Sequence, residues 1–153
     1  MVRANSPLSL LRQEISLRKL FPEAAIQRFR DESLIWTCSL TPSPLSQTYR
    51  IQLEYHHKEG LKVFVLEPRP LRLAKGKKVL PHVYSTPAQQ LCLYYPDGME
   101  WNRSMLYTRT IIPWTSEWLA HYEVWVVTGR WHGGGSDHGS DVEDIHIPAR
   151  HVF

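Results

Sequence analysis

Between Tyr49 and Tyr55 the chain alternates without a break: Tyr49, Ile51, Leu53 and Tyr55 are apolar or aromatic, and Arg50, Gln52 and Glu54 between them are polar. A period of two sends the two sets to opposite faces of an extended chain, so this stretch predicts a half-buried strand in a sheet with one face on a core. Its neighbours extend the pattern. Ser33–Leu40, containing Ile35, Trp36, Thr37 and Cys38, has the β-branched and aromatic residues that suit a strand, and Thr41-Pro42-Ser43-Pro44 after it is turn material. Leu61–Glu67 follows the His57-Lys58-Glu59-Gly60 turn and is expected to return antiparallel. Strands joined by such short connections predict a meander.

Helices are expected on either side of it. Leu8, Leu11, Ile15, Leu17 and Leu20 recur near helical spacing, with Ser6-Pro7 as cap and first turn. Pro22 interrupts that helix, and a shorter helical piece is expected over Glu23–Phe29. A second helix is expected from a Thr115 or Ser116 cap to Gly129, with Trp118, Leu119, Tyr122, Trp125 and Val126 as its apolar face and Gly129 as its C-terminal cap. Between them lie a basic, Pro-rich loop over 68–78, bearing Arg69, Arg72, Lys75, Lys77 and Lys78 without an acid, and a segment over 79–95 with a short strand candidate at Gln90–Tyr94. The fold class is α+β: N-terminal helix, antiparallel meander, irregular Cys-bearing segment, C-terminal helix.

At 153 residues the chain has the length of one domain. A single domain is therefore expected over 1–153, with a flexible tail over 132–153. No apolar run approaches the roughly 18 residues of a membrane span, and residues 1–7 lack the apolar stretch of a secretory signal, so a cytoplasmic protein without membrane contact is expected. The formal charge of +3 hides a division. Residues 1–80 carry 14 Lys/Arg against 7 Asp/Glu (+7), and residues 81–153 carry 4 against 8 (−4). The basic loop has no interleaved aromatics, so this asymmetry points to a docking surface for protein and away from direct nucleic-acid binding.

The chemistry centres on two thiols. Cys38 and Cys92 are too few for a disulfide framework or a four-cysteine zinc site, so each is judged singly. Cys38 sits inside a strand and reads as core. Cys92 lies ten positions after His82, in Leu91-Cys92-Leu93. A thiol is largely protonated at neutral pH and needs a positive or hydrogen-bond-donating neighbour to become a nucleophile, which His82 is able to supply. On the residues alone two readings of Cys92 stand, an inward-facing core cysteine and a nucleophile.

The C-terminal set His132, Asp137, His138, Asp141, Glu143, Asp144, His146 and His151 offers metal-ligand types, but its spacings match no helical zinc motif and read as a solvated acidic loop. No metal site and no cofactor site is expected: the chain has no phosphate-binding loop, since Gly133-Gly134-Gly135 lacks a following Lys-Ser/Thr.

The order and spacing of these features resemble the ubiquitin-conjugating (E2-like) enzymes. That family runs N-terminal helix, four-stranded meander, His-Pro-Asn motif, catalytic Cys ten residues after the His, a Trp some eight residues on, and a helix. Here His82 and Cys92 keep the interval, Leu91-Cys92-Leu93 looks like the family's Ile-Cys-Leu, and Trp101 lies nine residues after the Cys. The resemblance covers about Leu8 to Gly129. It is similar above all to the divergent bacterial branch found beside cyclic-oligonucleotide synthases in antiphage (CBASS) operons, in the stretches Leu91–Pro96, Ile111–Trp114 and Trp131–Gly135.

The resemblance implies acyl transfer: Cys92 holds the C-terminus of a partner protein as a thioester and releases it to a lysine. The implied partner is the cyclic-oligonucleotide synthase, bound through its C-terminal tail, with cleavage of the conjugate as a further activity. His82 is implied to shape the active-site loop or polarise the carbonyl. One departure stands out, because Val83 and Tyr84 follow His82 where the family has Pro and Asn. The oxyanion role of that Asn is left to His82, Tyr84, Asn102 or backbone N–H groups. Two other readings remain: a non-catalytic docking module of the same fold, and a metal-dependent hydrolase built on the C-terminal His/Asp set.

Overall fold

The computed structural model describes residues 6–95 and 99–133. Helix α1 (Leu10–Leu20) leads into strands β1 (Ala25–Phe29), β2 (Ser33–Leu40), β3 (Tyr49–His56) and β4 (Gly60–Glu67). Short strands β5 (Val83–Ser85) and β6 (Gln90–Leu91), a 3₁₀ turn at Tyr107–Arg109 and helix α2 (Ile111–Thr128) complete the chain. The fold is α+β, with one antiparallel sheet in the order β1-β2-β3-β4-β6-β5.

The four-stranded meander is β1 to β4, and the β5–β6 hairpin adds two strands beyond it. The alternation sets its register. Leu34, Trp36, Cys38 and Leu40 of β2 stand opposite Tyr55, Leu53, Ile51 and Tyr49 of β3, and Leu53 and Ile51 stand opposite Val63 and Val65 of β4. All of these are buried, so one face of the sheet forms the core. Helix α2 covers part of it. Tyr122 meets Tyr49 edge-on at 6.4 Å between centroids, and the Tyr49 hydroxyl donates to Glu123 at 2.8 Å.

Three expectations are corrected. The segment Glu23–Phe29 is not helical: Ala25–Phe29 pairs with β2 from Ala25↔Thr37 to Phe29↔Ser33. Its residues favour helix locally, but pairing with β2 overrides a weak preference. As an edge strand it buries too little to show a period.

Helix α1 starts at Leu10, and its N-cap is Ser9, whose side chain accepts from the Arg12 N–H at 3.2 Å. Its buried stripe is Leu10, Gln13 and Leu17, while Leu11, Ile15 and Leu20 are exposed. Gln13 tolerates burial because both ends of its amide are bonded, Nε2 to the Met105 carbonyl and Oε1 from the Tyr107 N–H, each at 2.9 Å.

Helix α2 begins at Ile111, four residues before the expected Thr115 cap. Pro113 falls in its first turn, where a missing N–H costs nothing. Its end is as expected: Gly129 takes φ 75° and its N–H donates to the Trp125 carbonyl at 2.7 Å. Among the described residues no helix is long and apolar enough to cross a membrane.

Candidate active site

The β5–β6 hairpin carries the site. Val83 pairs with Leu91 and Ser85 with Gln90, and the turn between them is tied by Gln89 N–H to the Thr86 carbonyl (3.1 Å) and Ala88 N–H to Ser85 Oγ (3.1 Å). One step beyond Val83↔Leu91, the Cys92 N–H donates to the His82 carbonyl at 3.0 Å. The ten-residue interval of the sequence is thus the length of a closed hairpin.

Gln89 hangs this hairpin on β4. Its φ is 53°, its side chain is buried, and it donates to the carbonyls of Val65 (2.9 Å) and Pro68 (3.1 Å) while accepting from the Leu71 N–H (2.6 Å). His82 fixes the other side. Its φ of 48° lies in the left-handed region, and its carbonyl accepts both the Cys92 N–H and Trp118 Nε1–H, the latter at 3.1 Å. One carbonyl therefore joins the cysteine to α2.

The His82 ring faces the indole of Trp131, 4.9 Å away between centroids. Trp131 also meets Trp118 and His121, at 5.6 Å each. The chain after α2 is thus folded back over the His82 loop, and Gly133 lets it approach. A Cβ at Gly133 would stand 2.7 Å from His121 Cδ2 and 3.0 Å from Trp131 Nε1. Burial, with His132 and His82 nearby, lowers the pKa of His121.

Cys92 is 4% exposed. Its Sγ donates to the Tyr94 carbonyl at 3.7 Å, and the Tyr84 hydroxyl is hydrogen-bonded to the thiol. Burial and then the Cys92 sulfur raise the Tyr84 phenol well above its ordinary value, and the same two causes push Tyr94 up to about 12. Both phenols therefore stay protonated donors at neutral pH.

Tyr84 and Tyr94 line a cleft of about 630 Å³ that also takes in Gly60–Val63, Trp101, Asn102 and Arg103. Trp101 packs on Tyr94 at 5.4 Å between centroids, and its indole N–H donates to Thr110 Oγ1 at 3.1 Å.

Cys38 has no such setting. It is buried in β2, its Sγ donates to Glu23 Oε1 at 3.5 Å, and burial and that carboxylate raise its pKa, which holds it as a thiol.

Of the residues weighed for the oxyanion, Tyr84 lies against the sulfur, and Asn102 turns its side-chain oxygen to the Ser104 N–H at 2.9 Å. The places of Tyr94 and Trp131 were not foreseen from spacing. The tyrosine pair Tyr94-Tyr95 directly after Leu91-Cys92-Leu93 was the available signal for the first. Of the C-terminal His/Asp set, only His132 lies among the described residues. No group of three or more metal-ligand residues that could hold an ion occurs among those described.

A family model described as "Type II CBASS E2 protein" matches residues 13–139. No curated protein matches the chain.

Proposed function

Since the chain belongs to the family of type II CBASS E2 proteins, we propose that it is a cysteine-dependent acyl transferase in which Cys92 takes the C-terminal acyl group of a partner protein as a thioester and passes it to a lysine. The partner is the cyclic-oligonucleotide synthase of the same antiphage system, and its conjugation tunes its output. The observation that carries this reading is the setting of the Cys92 sulfur, which donates to the Tyr94 carbonyl at 3.7 Å and lies against the Tyr84 hydroxyl, beside a cleft that both tyrosines line.

In the first step the Cys92 sulfur attacks the acyl carbon and an S–C bond forms. The donor's bond to its leaving group breaks, and the thiol proton is lost to solvent or to that group. Two sources of the acyl group fit. A separate adenylating partner supplies it as an activated acyl group, an acyl adenylate or a thioester made from it, or Cys92 cuts a peptide or isopeptide bond, whose amine leaves with the thiol proton. In the second step the lysine nitrogen forms the new C–N bond, the C–S bond breaks, and the sulfur regains a proton.

Tyr84 donates first to the sulfur and then to the oxyanion that forms as the carbonyl is attacked, the task left open by the missing Asn. His82 acts through its backbone by holding the cysteine, while its imidazole packs on Trp131.

The buried thiol favours a second reading, a docking module of the same fold that performs no chemistry. Replacing Cys92 by Ser separates the two. The transferase reading expects a Cys92→Ser protein incubated with its operon neighbours to trap an oxygen ester that resists thiols and yields to alkali. A docking module gives no covalent species.

A further inference from the structure

Strand β4 is covered unevenly on its two edges. On one edge β3 follows it throughout, from Arg50↔Glu67 to His56↔Gly60. On the other, β6 is two residues long and meets β4 at Phe64↔Gln90, with the Val65 N–H donating to the Gln89 carbonyl at 3.0 Å. Among the described residues no strand continues this second edge along Gly60–Val63.

The cleft beside Cys92 runs along that gap. It is lined by Gly60, Leu61, Lys62 and Val63 in succession. Successive residues of a strand point to opposite faces, so a cavity touching four in a row reaches the strand's edge, and through Tyr55 of β3 it also extends over the adjoining face. An open edge presents backbone donors and acceptors to an incoming extended chain.

One end of this gap meets the hairpin that carries Cys92, whose chain neighbours Leu91 and Leu93 line the cleft. Val63 adjoins Phe64, which faces Gln90, and Leu91 and Cys92 come next; Tyr84 and Tyr94 stand in the same cleft. An extended segment of four residues spans roughly 13 Å at about 3.3 Å each, the length of the uncovered stretch. The charged groups along the way are Lys62 and Arg103 against Glu59, and Arg103 also pairs with Asp31 at 3.8 Å. Arg103 is steadied over the Tyr55 ring at 5.0 Å.

We propose that the open edge of β4 at Gly60–Val63 receives the C-terminal segment of the acyl-donor protein as an added β-strand, its backbone held by ladder hydrogen bonds and an acidic side chain met by Lys62 and Arg103. This rests on the acyl-transfer reading and adds to it how the donor is recognised. Main-chain bonds supply affinity, every second side chain supplies selectivity, and the terminal carbonyl is left at the Cys92 end.

The test is equilibrium binding to the full chain carrying Cys92→Ala, so that no chemistry intervenes. The probe is a fluorescein-labelled octapeptide of alternating leucine and aspartate ending in a glycine carboxylate. A series of the same peptide carries one N-methylated amide at each position in turn. The expected result is a period of two: methylation at alternate positions weakens binding tenfold or more, and at the positions between leaves it unchanged. Lys62→Glu weakens the parent peptide at least fivefold, and exchanging aspartate for lysine in the peptide does the same. Absence of binding, or methylation effects without that period, overturns the proposal. Because binding is read without a thioester, that failure leaves acyl transfer standing if the wild type still forms a thiol-labile adduct. Periodic binding with no adduct in the wild type rejects acyl transfer and keeps the docking edge.

Discussion

The Cys92 N–H donates to the His82 carbonyl at 3.0 Å, and the same oxygen accepts the Trp118 indole N–H at 3.1 Å. The histidine that stands ten residues before the cysteine thus holds it by its backbone, and helix α2 braces the joint. The Tyr84 side chain lies against the sulfur.

Removing the Tyr84 hydroxyl is expected to slow the reaction and spare the fold. A hydrogen bond to a charged group is worth about 1.5–3 kcal/mol, so Tyr84→Phe lowers the rate of thioester formation roughly ten- to a hundredfold. Single-turnover kinetics read this, and thermal unfolding checks that stability is kept. An unchanged rate removes Tyr84 from the mechanism.

His82→Ala is expected to fold and to transfer more slowly, because the ring that packs on Trp131 is lost and a left-handed φ of 48° is then held by a residue that disfavours it. His82→Asn, which accepts that backbone, recovers part of the stability, by about 1 kcal/mol. Urea titration of the two variants ranks them. Equal stability would show that the backbone conformation at this position costs nothing.

Gly133→Ala is expected to displace the segment that covers His82. The added Cβ falls 2.7 Å from His121 Cδ2, an atom of a ring packed on Trp131. Such overpacking costs about 1–3 kcal/mol, and Trp131 fluorescence reports the shift. A variant with wild-type stability and emission contradicts this account of Gly133.

How far the sequence reached depended on what each residue faces. The alternation in β3 was legible because one face of it is buried, and β2 and β4 were legible from their strand-forming residues and turns, whereas β1, an edge strand with little to bury, read as helix. Pro113 concealed the first turn of α2, and buried Gln13 concealed the true stripe of α1. At the site, the His82 to Cys92 interval stood out through the resemblance to the ubiquitin-conjugating enzymes, and in the fold it spans the β5–β6 hairpin. The neighbour relations of Tyr84, Tyr94 and Trp131 depend on a left-handed turn and on a chain folding back from α2, neither of which leaves a spacing to read.

Mild acid is expected to loosen the Trp131–Gly133 segment. His121 has a lowered pKa in the fold, chiefly from burial, with His132 and His82 adding repulsion. The unfolded chain therefore takes up its proton first. Stability is full above the ordinary histidine value of about 6.5 and declines as pH falls through and below it. Thermal unfolding across that range, compared with His121→Gln, checks the sign. A wild-type profile no steeper than the variant's contradicts it.

The central claim is that Cys92, and not Cys38, carries the acyl group. Its most direct measurement is a non-reducing gel, with intact-mass confirmation, of the protein incubated with its operon neighbours. The expected result is a thiol-labile adduct in the wild type and in Cys38→Ala that is missing in Cys92→Ala. An adduct that persists in Cys92→Ala, together with undiminished phage protection, would contradict the account.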